Sequence, residues 1–508
     1  MKVNYNRLYP FLGLTILLGG CQGNTPSSSD FIDSGDSSKP SNDASLSSSS
    51  EQIVDPNNPN YYHNVENRSA FDATNELNFV DDLKGGLNND VWWALDGAWH
   101  TEDAGAPHNG VRRRNLFYTK DSDNNDYLAI KGRGYYNTED SKTANLPEGG
   151  VIVTKNHLTP GRYEIQMAAH PREGAVTAMW TYCTVTGNEL TSQNEIDIEI
   201  GGTTSGNQFE HLWSTTWTKK TNKETKAPKV SDQLYLNDGK IHKYSFDWYT
   251  NYMGTGVKRI DWFIDEVYLT SITGEVVPEH NMPLWVGLWF PPRWAGNPSF
   301  VNDYLLVKEI SFTAFESLQW YEDCRAQPGY TKVNIADAGI QTIPFAEVQN
   351  INKLSNGDFE SDTIFDLDGT YYGWEVDTAS KGSFSLSNEK TTGNHSFKLT
   401  ASKEIVGKYN GEYLKQTLTN AYPGYEFDFS IDAKREDNAS VGNIEIVYRN
   451  NIGSKIDEKI IPVTSNSFST YREKLVVPHG ATKIEITITA ETNSIYYDNA
   501  NLTFLKAA

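Results

Sequence analysis

Residues 194–202 read N-E-I-D-I-E-I-G-G, and Glu195, Asp197 and Glu199 alternate strictly with Ile196, Ile198 and Ile200. Period two is the repeat of a β-strand, so one face of this segment is acidic and the opposite face packs into a core. Three carboxylates on one strand face repel one another at close range, which costs stability. A sequence tolerates that mainly where a raised carboxyl pKa is useful.

Two carboxylates in a cleft, one ionised as nucleophile and one kept protonated as acid, are what retaining glycoside hydrolysis requires. Glu195 and Glu199 are four residues apart, so their Cα atoms lie roughly 13 Å apart at about 3.3 Å per residue. Side chains leaning together on a twisted strand close that toward the ~5–5.5 Å carboxyl separation of a retaining enzyme. Asp197 sits between them, within hydrogen-bonding reach of either. An acidic solvent face or a calcium ligand set is the alternative reading of the same residues.

The surrounding segments resemble glycoside hydrolase family 16. They are G-R-Y-E-I-Q-M from Gly161, A-M-W-T-Y from Ala178 and D-G-K-I-H-K-Y-S-F-D-W-Y from Asp238. R-I-D-W-F-I-D-E-V from Arg259 and P-L-W-V-G-L-W-F from Pro283 continue the likeness, which covers roughly residues 65–315. The resemblance implies Glu195 as nucleophile, Asp197 as its orienting partner and Glu199 as general acid/base, with no cofactor for catalysis. The unbulged E-x-D-x-E form resembles lichenases and xyloglucan-active members more than typical laminarinases, agarases or κ-carrageenases.

Lys2 and Arg7 precede an apolar run from Tyr9 to Leu18, followed by Leu18-Gly19-Gly20-Cys21. That order reads as a secretory signal over residues 1–21. The cysteine after small residues resembles a bacterial lipoprotein box, so Cys21 is expected as a lipidated N-terminus. Gln22 behind it favours the outer membrane or cell surface. Residues 22–60 are rich in Ser, Asn, Asp and Pro, a composition expected to form a flexible tether. The catalytic domain is expected at 61–325, a connector at 326–350 and a second module at 351–508.

Short alternating runs rich in Val, Ile, Tyr, Phe and Thr recur, with weak helical periodicity, so the fold class is all-β. Two sandwiches are expected: a concanavalin-like jelly roll with a cleft, and a smaller module. N-G-D-F-E from Asn356 and Y-Y-D-N-A-N-L from Tyr496 resemble jelly-roll carbohydrate-binding modules. That likeness implies a structural calcium at Asp358, Glu360 and Asp498, acids at strand ends that suit its oxygen preference. Tyr371, Tyr372, Trp374 and Tyr413 are candidate ligand platforms, with a core role open for Trp374. A net charge of −22 argues against nucleic acid and anionic membrane surfaces as partners. The expected partner is a polysaccharide, met by a monomer whose membrane contact is the lipid anchor alone.

Trp180, Trp213, Trp289 and Trp294 are candidate substrate contacts, since amphipathic rings stack on sugar faces as well as filling cores. His211, two residues before Trp213, is a candidate hydroxyl partner. Arg172 and Arg293 are candidate anion contacts in an acidic chain, because a planar guanidinium suits sulfate or carboxylate. With the Arg112-Arg113-Arg114 cluster they tip the expected substrate toward a sulfated algal galactan of the carrageenan or furcellaran type. A β-1,3- or mixed-linkage β-1,3-1,4-glucan, a transglycosylase activity, and an inactive polysaccharide-binding protein remain alternatives. Cys183 and Cys324 are either bridged or buried thiols.

Overall fold

The Asp265-Glu266 pair shows how local sequence sets the sheets. Both residues take positive φ, 48° and 66°, which closes a two-residue hairpin between Val257–Ile264 and Val267–Thr273. Such turns match the right-handed twist of the strands they join. The computed structural model describes residues 74–97, 110–134, 147–186, 188–201, 208–231, 234–296, 298–315, 323, 331–360, 370–371, 373–376, 383–402 and 412–508. Cys21 and the expected signal and tether segments lie outside them.

The protein is all-β. Among the described residues, eight strands form the sheet that carries the acids: β1 (Trp92–Asp96), β2 (Glu148–Thr154), β3 (Val176–Thr184), β4 (Gln193–Ile200), β5 (Trp213–Lys219), β6 (Asn222–Lys226), β7 (Leu284–Trp289) and β8 (Thr331–Asn334). Their spatial order is β8-β1-β2-β7-β3-β4-β5-β6, antiparallel throughout. An opposing sheet is built around the long strand Asn302–Ala314, which pairs with 126–133 and 161–168. It continues through 242–252, 257–264 and 267–273. Between the layers lies the core, where Ile196, Ile198 and Ile200 are fully buried with Tyr163, Ile165, Phe246 and Trp262. Trp262 of the opposing sheet donates its indole N–H to the Asp197 carbonyl at 3.0 Å, tying the acid strand to the layer behind it.

The segment expected as a connector does more than connect. Strand β8 adds an edge to the acid-bearing sheet beside β1, and Gln341–Thr342 pairs parallel with 116–120 in the opposing one. Beyond it, six strands and five strands among the described residues form a second sandwich, as expected. Its two sheets alternate inward residues such as Phe427, Phe429, Ile431 and Ala433 against Ile484, Ile486 and Ile488.

The two sandwiches fall within one compact unit and share a built contact. Tyr235 stacks on Tyr422 with ring centroids 3.7 Å apart, and Tyr425 donates its hydroxyl to Asn237 Oδ1 at 3.1 Å. Asn237 in turn donates to the Asn420 carbonyl, and Thr419 to Glu173. A buried ionic group completes the contact: Lys353 Nζ meets Asp303 Oδ2 at 2.5 Å, and Arg172 lies 3.7 Å from the same oxygen. Burial alone would raise the Asp303 carboxyl, but Lys353, His170 and Arg172 hold it below its usual range.

Candidate active site

Strand β4 arrives on the sheet through a short, heavily bonded turn. Helix α1 (Glu189–Ser192) is capped by Asn188, whose side chain accepts the Leu190 N–H at 3.0 Å. Ser192 N–H returns to the Asn188 carbonyl, and Ser192 Oγ accepts from Thr186 N–H. The turn leaves the acids on one face and the isoleucines on the other, as the alternation requires. Cross-strand register then fixes their neighbours. On β3, Tyr182 lies opposite Glu195, Trp180 opposite Asp197 and Ala178 opposite Glu199. On β5, Trp217 lies opposite Glu195, Thr215 opposite Asp197 and Trp213 opposite Glu199.

Two of the acids, Glu195 and Asp197, are joined into a chain. Gln193 donates its amide N–H to Glu195 Oε2, Asp197 shares a hydrogen bond with Glu195, and Trp217 Nε1 donates to Asp197 Oδ2 at 3.2 Å. Lys223 on β6 places its ammonium 4.4 Å from the centre of the Trp217 ring, a cation–π contact. Burial, then the charges of Glu195 and Glu199, push the Asp197 carboxyl well above the carboxylate range, against the pull of the Trp217 indole. Burial pushes Glu199 up to about 7, against the opposing charge of Lys223. The face therefore holds two carboxyls pushed toward the protonated form, Asp197 and Glu199, beside Glu195, which accepts an N–H donor. That is the division of roles an acid and a nucleophile need.

An aromatic floor surrounds the acids. Trp180 is 5% exposed and stacks on Trp285, with centroids 5.7 Å apart. Trp294 sits on helix α2 (Pro292–Ala295), between Trp213 at 6.4 Å and Trp289 at 6.0 Å. These three half-buried rings gather at the Glu199 end of β4, through the register of Trp213 with Glu199. His211 precedes them on the same parity, with its Nδ1 2.9 Å from the Ala227 carbonyl. Tyr182, Trp217, Trp285, Gln193 and Lys223 were not anticipated. Parity was the available signal for the first two, since each keeps the two-residue step of an expected tryptophan (Trp180 or Trp213).

Several expectations are corrected. Arg172 is buried against Asp303, donates to the Lys353 carbonyl at 3.1 Å and lies over the Phe300 ring. It belongs to the contact between the sandwiches and not to the acid face. Arg112 and Arg113 both pair with Asp96, and Arg114 with Glu148. The Arg293 side chain lies outside what the structure describes. Asp358, Glu360 and Asp498 do not come together as ligands; among the described residues no group of three or more acids, histidines or cysteines could hold a metal. Asp498 is fully buried and takes donors from Thr391 and Thr392, while Glu360 accepts from Asn394 and His395 N–H. Trp374 is core, its indole bonded to the Asn356 carbonyl. The Tyr371 and Tyr372 side chains fall outside the description. Cys183 is disulfide-bonded. Asp323 pairs with Asn281, whose carbonyl is 4.0 Å from Cys183 Sγ; Cys324 itself is not among the described residues.

Residues 120–305 match the family described as Glycosyl hydrolases family 16, a span that includes β4 and all three acids. The chain carries a glycoside hydrolase family 16 domain. Over 145 residues the chain is 35% identical to a xylanase/beta-glucanase of Ruminococcus flavefaciens, covering 28% of this chain and 16% of that protein. Among solved structures, the Bacillus licheniformis beta-glucanase aligns at 18% identity and a TM-score of 0.34, over 46% of this chain and 97% of that one. The laminarinase catalytic domain from Thermotoga maritima aligns at 15% identity and a TM-score of 0.38, over 46% and 96%.

Proposed function

We propose that the family 16 domain is a retaining endo-β-glycosidase acting on a β-glucan. Glu195 attacks the anomeric carbon while Glu199 gives its proton to the departing glycosidic oxygen. Glu199 then takes a proton from the water that releases the glycosyl-enzyme. The observation that carries this reading is the asymmetry along β4. Glu199, raised to about 7, stays protonated enough to act as an acid near neutral pH, while Glu195 accepts an N–H donor suited to a carboxylate. Asp197, bonded to Glu195 and held by Trp217, orients the nucleophile.

The substrate preference moves from a sulfated galactan to a neutral glucan. Arg172 and Arg112 to Arg114 have carboxylate partners away from this role, so these four cations no longer argue for an anionic polymer. The aromatic floor around the acids suits the apolar faces of sugar rings. The xylanase/beta-glucanase similarity supports the same direction. A panel of lichenan, laminarin, xylan, xyloglucan and carrageenan tests it: release of reducing oligosaccharides from a β-glucan is expected. Turnover confined to carrageenan would overturn the glucan reading, and transfer to a sugar acceptor in place of water would make the enzyme a transglycosylase. We further read Cys21 as the lipid attachment point that holds the enzyme at a bacterial cell surface.

A further inference from the structure

Gln193 sits on the acid face outside the E-x-D-x-E alternation, and it is 7% exposed. It is the residue at which helix α1 hands over to strand β4, with φ −63° and ψ 130°. The bonds of Asn188, Thr186 and Ser192 fix the backbone immediately before it. From there its amide nitrogen donates to Glu195 Oε2. An amide N–H donates and cannot accept, so the contact favours the ionised form of the carboxylate it touches. The Glu195–Asp197 pair is thus held at both ends, by Gln193 at the nucleophile and by Trp217 at Asp197.

We propose that Gln193 is a positioning residue for the nucleophile, holding the Glu195 carboxylate ionised and in one rotamer for attack. The inference rests on the reading of Glu195 as nucleophile. As the Glu195–anomeric carbon bond forms, the glycosidic bond breaks, its electron pair stays on the leaving oxygen and that oxygen takes the Glu199 proton. Gln193 exchanges no proton in this step.

Gln193→Met keeps the side-chain volume and removes the donor. A hydrogen bond to a charged group has a strength that corresponds to roughly a ten- to hundredfold effect on kcat/KM. The loss is expected in kcat with KM nearly unchanged. Covalent labelling of Glu195 by an activated 2-deoxy-2-fluoro glycoside, followed by mass spectrometry, is expected to slow by the same factor. Gln193→Glu supplies the sharper readout. Its new carboxylate cannot donate at neutral pH but donates when protonated, so activity relative to wild type is expected to recover as pH falls. The charged and titratable groups facing Glu195 there are Asp197 and Glu199 on β4, Tyr182 on β3 and Lys223 on β6; β5 presents the neutral Trp217. Wild-type kcat and labelling rate in Gln193→Met, or no acid recovery in Gln193→Glu, would overturn the proposal. Absence of label on Glu195 in the wild type would instead remove the nucleophile assignment beneath it.

Discussion

Trp217 and Asp197 meet across two neighbouring strands: the indole N–H of β5 donates to the Asp197 carboxyl of β4 at 3.2 Å, with the Lys223 ammonium over the same ring. The donor lowers the cost of charge on Asp197, while the ring and Lys223 form a small lid of contacts beside the acids. Trp217→Phe keeps an aromatic ring for Lys223 and removes the donor alone. A loss of roughly two- to tenfold in kcat is expected, from the usual net value of a hydrogen bond to an uncharged group. Steady-state kinetics beside a melting curve checks it; an unchanged kcat would separate Trp217 from the chemistry.

Glu199 predicts the alkaline limb of the pH profile. It must be protonated to act as acid, so kcat/KM is expected to fall as pH rises through about 7. The charge of Lys223 opposes this elevation, so Lys223→Met is expected to move the limb to higher pH. Stability follows the same group. A carboxyl raised in the folded state contributes stability that is full below its unfolded value near 4.5 and lost as pH rises through about 7. Glu199→Gln is expected to abolish activity and flatten that part of the stability curve. A limb that does not move in Lys223→Met would sever the electrostatic link.

The ionic group between the sandwiches is expected to govern folding and leave substrate binding alone. Asp303→Asn leaves Lys353 and Arg172 buried without their carboxylate, and breaking a buried pair in this way costs about 3–5 kcal/mol. Denaturant unfolding is expected to register the loss, with KM on soluble glucan oligosaccharides unchanged. Because the Asp303 carboxyl lies below its usual range, the wild-type contribution is present above its unfolded pKa and lost as pH falls. A raised KM with intact stability would return Arg172 to the substrate.

The acid strand was legible because its information is local: E-I-D-I-E-I states a strand, its buried face and its chemistry within six residues. Trp213, Trp289 and Trp294 were legible one at a time, while their convergence on one another depends on α2 folding back over β5 and β7. Arg172 misled because a sequence displays a cation without its partner. Asp303 and Lys353 lie far along the chain, one on a strand of the first sandwich and the other at the entrance to the second. The calcium expectation drew on the same kind of partial information: acids at strand ends are equally suited to N–H and O–H donors, and Asp498 and Glu360 have those. Strand β8 was missed because four residues with no alternating apolar pattern become a strand only through the β1 edge they pair with.

Lipidation gives a prediction independent of the fold. Labelled palmitate is expected to enter the wild-type protein in a bacterial host and not Cys21→Ala. Equal labelling of both, or none in the wild type, would reduce the first 21 residues to an ordinary secretory signal.

The central claim, that Glu195 and Glu199 work as nucleophile and acid/base on a β-linked polysaccharide, is tested most directly by proton NMR of freshly released product. With lichenan or another β-glucan that the wild type hydrolyses, the β-anomer is expected to appear first and the α-anomer only later, through mutarotation. Initial appearance of the α-anomer would mean single displacement by water, and Glu195 would then not be the nucleophile.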